Sequence, residues 1–142
     1  MRFWDSSALV PLLVEESSSP AIRALLGDDP AVVVWQLAGT EVTSALWRRR
    51  RADEIDEVVR RLAETGLAVL EELWTAVEDT RLVDRRARRL LAVHSLRAAD
   101  ALHLAAALIA CDERTKMLPF VTLDERLADA ARREGFLVLP ED

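Results

Sequence analysis

The sequence predicts an α/β fold in which helices cover both faces of a mainly parallel sheet. Short apolar runs rich in valine or phenylalanine, at residues 31–35 and 120–123, alternate with longer segments of helical periodicity. Clusters of glycine, proline, serine and aspartate separate them, as at residues 27–30. Strands that alternate with helices favour a parallel sheet, because each crossover helix returns the chain to the same edge.

Each element follows from periodicity and from the residues that start or stop it. Gly66 is expected to end a pair of amphipathic helices, Gly135 is expected to stop the last helix, and residues 67–73 are compatible with either a strand or an irregular edge segment. The predicted elements are strand 1–4, helix 8–16, short helix 20–26, strand 31–35, helices 40–51 and 53–65, long helix 75–93, apolar helix 97–110, strand 120–123, helix 125–134 and strand 136–139.

The composition limits the functional classes. We expect residues 1–142 to form one domain, and the sequence shows neither a membrane span nor a signal peptide, so we expect a cytoplasmic protein. The net charge of -6 argues against a protein that coats nucleic acid, although clustered arginines still offer local phosphate-binding patches. One cysteine, Cys111, and two histidines cannot supply a zinc site, so any metal must be held by oxygen.

Four acidic residues, Asp5, Glu41, Asp100 and Asp124, lie beside segments that are expected to pack. Two of them end predicted strands, Glu41 follows another strand by one short loop, and Asp100 interrupts an apolar helix. Carboxylates rarely occupy such semi-buried positions without a partner. Parallel strands would bring these residues to the edge where α/β sheets bind ligands.

Each acid also has a simpler explanation as a helix cap or as a charge that offsets the helix dipole. Asp5 and Asp124 are good N-cap candidates, although Thr122 fits a capping box that would free Asp124. Asp100 resists this explanation most, because its neighbours at helical spacing include Leu96 and Leu104.

Four clustered carboxylates would repel one another unless a cation neutralised them. Oxygen ligands favour Mg²⁺, with Mn²⁺ as a substitute, and such a site usually activates water for attack on a phosphoryl group. The sequence therefore predicts phosphodiester hydrolysis.

The residues around the four acids resemble the PIN-domain family, especially VapC-type ribonuclease toxins of VapBC toxin–antitoxin pairs. The matching segments are Asp5-Ser6-Ser7-Ala8-Leu9-Val10, Glu41 with Ser44-Ala45-Leu46, Ala99-Asp100-Ala101-Leu102-His103-Leu104-Ala105, and Val121-Thr122-Leu123-Asp124. The resemblance spans residues 1 to about 139. It implies a three-layer α/β/α sandwich, a Mg²⁺-dependent endoribonuclease, metal ligation by the four acids, and a supporting role for Ser6 and Thr122. It also implies a homodimer and a cognate VapB-type antitoxin whose tail lies along the helices between about residues 8 and 62.

Other residues keep two interpretations. His103 is a possible proton shuttle but more often such a residue belongs to the core, and Trp47 either packs in the core or lines an apolar groove for a partner. Arg97 either steers a phosphate or pairs with a carboxylate; with Arg48 and Arg49 it is a candidate RNA contact. Competing functions are a DNA-directed or housekeeping PIN nuclease and a non-catalytic RNA-binding module.

Overall fold

A computed structural model describes residues 1–141. Within that range five short strands form one sheet in the order β3-β2-β1-β4-β5, and every neighbouring pair is parallel. The predicted parallel α/β architecture is confirmed. The strands are β1 Arg2–Trp4, β2 Val32–Trp35, β3 Thr75–Val77, β4 Phe120–Val121 and β5 Val138–Leu139. The helices are α1 Ser6–Leu13, α2 Ser19–Asp28, α3 Ala38–Arg51, α4 Glu57–Leu73, α5 Thr80–Val93, α6 Ala98–Ala110 and α7 Glu125–Arg133, with a 3-10 turn at Thr115–Met117.

Alternation along the strands divides the core between two faces of the sheet. Phe3 and Val33 point to the face covered by α5, α6 and α7, whereas Trp4 and Val34 point to the face covered by α1 to α4. The result is three layers. Full burial of each such side chain contributes on the order of 1.5–3 kcal/mol. Because α6 is rich in alanine and lies across the middle of its face, seven of its residues are buried.

Helix α4 corrects the prediction that Gly66 ends a helix. The helix continues to Leu73, so residues 67–73 are neither a strand nor an irregular segment. A Cβ at Gly66 would lie 2.9 Å from Cδ2 of Leu13, which shows that this glycine permits close packing of α4 against α1. Gly27 likewise lies inside α2 instead of stopping it.

The predicted long helix 75–93 was wrong in its first turn. Residues Thr75–Val77 form the edge strand β3, in which Ala76 pairs with Val34 of β2. Asp79 then starts α5, because its side chain accepts a hydrogen bond from the amide of Leu82 at 2.9 Å. A three-residue edge strand is too short for its periodicity to compete with that of the following helix.

The remaining elements differ from prediction mainly at their ends. α1 begins directly after Asp5 instead of at residue 8, and α4 begins after Asp56, which accepts a hydrogen bond from the Val59 amide at 2.8 Å. β4 ends at Val121, so Thr122 and Asp124 lie in the loop before α7. In the part of the chain described here, no helix combines the length and apolar character needed to span a membrane.

Candidate active site

The candidate site lies where the strand order changes direction. β1 has β2 on one side and β4 on the other, so helices that follow these strands diverge and leave a crevice at their carboxyl ends. Asp5 directly follows β1, and Asp124 is the third residue after β4. Glu41 reaches the crevice from the first turn of α3, and Asp100 from the first turn of α6.

Asp5 is the most buried of the four acids, with 4% of its surface exposed. Its Oδ2 caps α1 by accepting hydrogen bonds from the Ser7 amide at 3.2 Å and from the Ser7 hydroxyl. The same oxygen accepts a bond from Oγ1 of Thr122 at 3.0 Å. These donors satisfy the desolvated carboxylate and fix its orientation.

Ser7 is a site residue that the sequence analysis missed. Its hydroxyl donates to Asp5 and accepts from the amide of Leu123 at 2.9 Å, while Oγ1 of Thr122 accepts from the Asp124 amide at 3.1 Å. Ser7 therefore joins the loop after β1 to the loop after β4. Its place two residues after an N-cap aspartate was the signal available in the sequence.

Glu41 is held from two sides. Its Oε2 accepts a bond from the Ser6 hydroxyl at 3.0 Å, and its Oε1 lies 3.0 Å from Nε2 of His103. That imidazole nitrogen is also 3.6 Å from Oδ1 of Asp5. Ser6 thus supports Glu41, and it lies more loosely, at 3.4 Å, from Asp5.

His103 is a core residue that also contacts the acids, and its role as a proton shuttle stays a prediction. It is 1% exposed and lies edge-on to Phe3, as a core residue would, yet its Nε2 faces two of the four acids. Burial favours the neutral ring, but the hydrogen bond to Glu41 and the negative charges of Asp5, Glu41 and Asp100 outweigh burial and raise the pKa of His103. A protonated His103 offsets part of the negative charge on this side of the site.

Asp100 and Asp124 form the more open side. Asp100 accepts a hydrogen bond from the backbone amide of Arg97 at 3.3 Å. Partial burial raises the pKa of the Asp100 carboxyl; the Arg97 amide opposes this shift, and the charges of Asp124 and Asp5 add to it. Asp124 is the N-cap of α7, with Oδ1 accepting from the Leu127 amide at 2.9 Å, so the alternative in which Thr122 caps the helix was wrong.

The predicted arginines surround this crevice. Arg48, Arg49 and Arg97 line a cleft of about 530 Å³ together with Ser6, Glu41 and Asp100. Arg49 also forms an ion pair with Glu16, whereas Arg48 and Arg97 form none within residues 1–141.

Trp47 is not a core residue, and its exposed side chain is partly covered by Arg60. Its ring is 40% exposed, and the guanidinium carbon of Arg60 lies 4.2 Å from the ring centre. The indole therefore supports a cation–π contact between α3 and α4 at the protein surface.

The site offers carboxylate and hydroxyl oxygens, the donors that Mg²⁺ and Mn²⁺ accept. Burial raises the pKa of Asp100 most, and the charges of Asp124 and Asp5 add to the shift; a bound cation would relieve that repulsion. Yet no three Asp, Glu, His or Cys side chains of residues 1–141 are grouped around one point as ready ligands. Glu41 is turned toward His103, and Asp5 toward Ser7 and Thr122. The donor chemistry fits a divalent cation, and the ligand set stays a prediction.

Fold and site together define an α/β/α protein with an acidic, oxygen-only centre at the switch point of a parallel sheet. The chain belongs to the PIN-domain family, whose sequence profile matches residues 2–133. It is similar to Ribonuclease VapC45 of Mycobacterium tuberculosis (strain CDC 1551 / Oshkosh) and to Ribonuclease VapC49 of Mycobacterium tuberculosis (strain ATCC 25618 / H37Rv). Each is 36% identical over 141 residues, which cover 97% of this chain and 94% of the relative. The resemblance inferred from the motifs is confirmed.

Proposed function

We propose that the protein is a Mg²⁺-dependent endoribonuclease and the toxin of a toxin–antitoxin pair. The supporting observation is that the four acids lie at the carboxyl end of the sheet, where Glu41 and Asp100 line one cleft and Asp124 an adjoining one, in a chain similar over nearly its full length to two VapC ribonucleases. Mg²⁺ bound there would polarise water and offset the charge that develops on the scissile phosphate. The four carboxylates are the groups that would hold it.

The side chains around the acids have distinct tasks. Ser7 and Thr122 keep Asp5 oriented, and Ser6 keeps Glu41 oriented, so that neither carboxylate must reorganise far when substrate binds. Arg97 and Arg48 line the crevice and offer guanidinium groups to phosphate oxygens. His103 holds a proton against Glu41 at 3.0 Å and limits repulsion before a cation arrives.

The test is cleavage of single-stranded RNA by wild type and by Asp5→Asn, Glu41→Gln, Asp100→Asn and Asp124→Asn. Mg²⁺ or Mn²⁺ should support cleavage and chelator should stop it, while Ca²⁺, with longer and looser coordination, should not replace them. Asp112→Asn is the matched control, because Asp112 follows the opposite end of α6 and its positive φ of 51° suits asparagine. Cleavage of DNA but not RNA, or full activity in two of the four variants, would overturn the proposal.

The surface that we assign to the antitoxin is an apolar stripe on α4. Val58, Leu62, Val69 and Leu73 repeat along one side of the helix, opposite its buried side, and each is more than half exposed. Apolar side chains in such a row favour a partner segment with its own apolar face. An arginine from that segment would enter the acidic crevice and compete with the cation.

Two lysines in the stripe, Leu62→Lys with Val69→Lys, should release the cognate antitoxin and leave RNA cleavage unchanged. Leu91→Lys, on α5 and 41% exposed, is the control. If the antitoxin still inhibits the double variant, it binds a surface other than the stripe. We also propose a homodimer, to be measured by sedimentation; a double variant that becomes monomeric would assign the stripe to dimer contacts instead.

A further inference from the structure

The crevice continues beyond the acids into a longer groove. The cleft lined by Arg48, Arg97 and Asp100 adjoins a smaller one of about 360 Å³, with which it shares Arg97, Asp100 and Leu123. The smaller cleft in turn shares Leu123, Asp124, Glu125 and Arg126 with a cleft of about 600 Å³ that reaches Val138 and Pro140. The groove therefore passes the acids on both sides: one arm runs toward α3 and the other toward α7 and β5.

Arg126 is the cation that the two α7-side clefts share. It is exposed in the first turn of α7 and lines both the smaller cleft and the arm toward Pro140. Although Asp124 and Glu125 directly precede it, it forms no ion pair with any residue of 1–141. By contrast Arg133, on the same helix, pairs with Asp129 at 3.2 Å.

Many arginines of this acidic chain are held by carboxylates. Arg86, for example, bonds to Glu113 at 2.9 Å and reaches Glu134 at 3.3 Å. The arginines that stay unpaired around the crevice are Arg48, Arg97 and Arg126. They follow the groove in that order, from the α3 side to the α7 side.

We propose that Arg126 binds a phosphate of the RNA strand on the side of the scissile bond opposite to Arg48. This inference rests on the proposed ribonuclease function. A planar guanidinium can bind two phosphate oxygens at once, and a contact to the phosphate backbone carries no sequence information, so Arg126 positions the strand without setting its sequence preference. Because the residues that line the groove lie on both sides of the acids, the bound strand has nucleotides on both sides of the scissile bond.

The first measurement is binding of a fluorescent single-stranded RNA in chelator, where no cleavage occurs, over a range of salt concentrations. Arg126→Ala should weaken binding about three- to tenfold and reduce the salt slope by about 0.7, the value for one phosphate contact on a single strand. Arg126→Lys should recover most of the slope. Arg114→Ala, which removes an exposed unpaired charge near the other end of α6, should change neither.

The second measurement uses substrates shortened on one side of the cleavage position, with cleavage rates in Mg²⁺. Removal of the nucleotides on the Arg126 side should abolish the difference in cleavage rate between wild type and Arg126→Ala, and should leave the difference between wild type and Arg48→Ala unchanged. Removal of the nucleotides on the Arg48 side should have the reverse effect. An unchanged salt slope in Arg126→Ala, or the same response of both variants to both truncations, would overturn the inference while wild-type cleavage still supports the ribonuclease. Absence of cleavage by wild type would overturn the ribonuclease itself.

Discussion

Asp5 accepts four hydrogen bonds, from the amide and hydroxyl of Ser7, from Thr122 and, at 3.4 Å, from Ser6, whereas Asp100, across the crevice, accepts one, from the amide of Arg97. Asp5 is 4% exposed and has His103 beside it, while Asp100 is only partly buried and repelled by Asp124 and Asp5. The Asp5 side is therefore part of the folded framework. The Asp100 side is held weakly and stays ready for a cation or phosphate, so substitutions on the two sides should act differently.

The largest expected effect is on the cleavage rate, which should fall for substitutions on either side of the site. Asp5→Asn and Asp100→Asn should each lower the RNA cleavage rate beyond the about 10- to 100-fold typical of residues that only support a metal ligand. Single-turnover rates in Mg²⁺ measure this, with Asp112→Asn as control. Strong loss in one variant and little in the other would show that only one side holds the cation.

The free energy of unfolding should distinguish the Asp5 side of the site from the Asp100 side. Asp5→Ala should lower the free energy of unfolding by about 2–3 kcal/mol, because it leaves the Ser7 amide and the Thr122 hydroxyl without an acceptor. The matched control is Asp79→Ala, which removes an exposed N-cap with a single backbone bond and should cost about 1 kcal/mol. Urea denaturation in chelator gives both values; equal losses would mean that the Asp5 network adds nothing beyond capping.

Substitution of Ser7 or Ser6 tests how much each hydroxyl stabilises the buried Asp5 side. Ser7→Ala should cost about 1–2 kcal/mol, because it removes a donor to Asp5 and an acceptor for the Leu123 amide. Ser6→Ala should cost about 0.5 kcal/mol, because its hydroxyl serves only as a donor, to Glu41 at 3.0 Å and more loosely to Asp5 at 3.4 Å. Chemical denaturation of the two variants is the measurement, and the reverse order would contradict the role assigned to Ser7.

The smallest expected effect is a gain in stability. In chelator at neutral pH, Asp100→Asn should raise the free energy of unfolding by no more than about 1 kcal/mol, since solvent screens this half-exposed carboxyl. A raised pKa in the folded state means that wild type loses stability as pH rises through that pKa, so the gain should vanish in acid below the unfolded pKa. Melting curves at several pH values test this. Excess Mn²⁺ should reverse the order, because wild type gains from the bound ion and the variant gains little.

Much of this fold was accessible from sequence because the signals were local. The valine run of β2 and the glycine after α7, with its φ of 94°, are short-range features with direct structural meaning. The four acids were singled out for the same reason, since each follows a strand or lies in the first turn of a helix, and their role as metal ligands stays a prediction. Thr122 and Ser6 came from the family resemblance, and both contact the predicted acids.

The missed features depend on partners distant in the chain. β3 is a strand because β2 lies beside it, and Gly66 lies inside a helix because α4 packs closely against α1 at this point, where Leu13 leaves no room for a Cβ. The contact of His103 with Glu41 spans 62 residues, and that of Ser7 with Leu123 spans 116. Sequence patterns are analysed over short segments, and no such segment contains both members of these pairs. Capping rules likewise describe only the contacts between residues that are close in the chain.

The position of β1 has a consequence for synthesis of the chain. β1 lies at the centre of the sheet, but its neighbour β4 is only the fourth strand in chain order. Thr122, which donates to Asp5, follows that residue by 117 positions, and Asp124 comes later still. A nascent chain that stops short of β4 therefore lacks both Asp124 and the contact that orients Asp5. We expect such a chain to have no nuclease activity until β4 and the loop after it have been made.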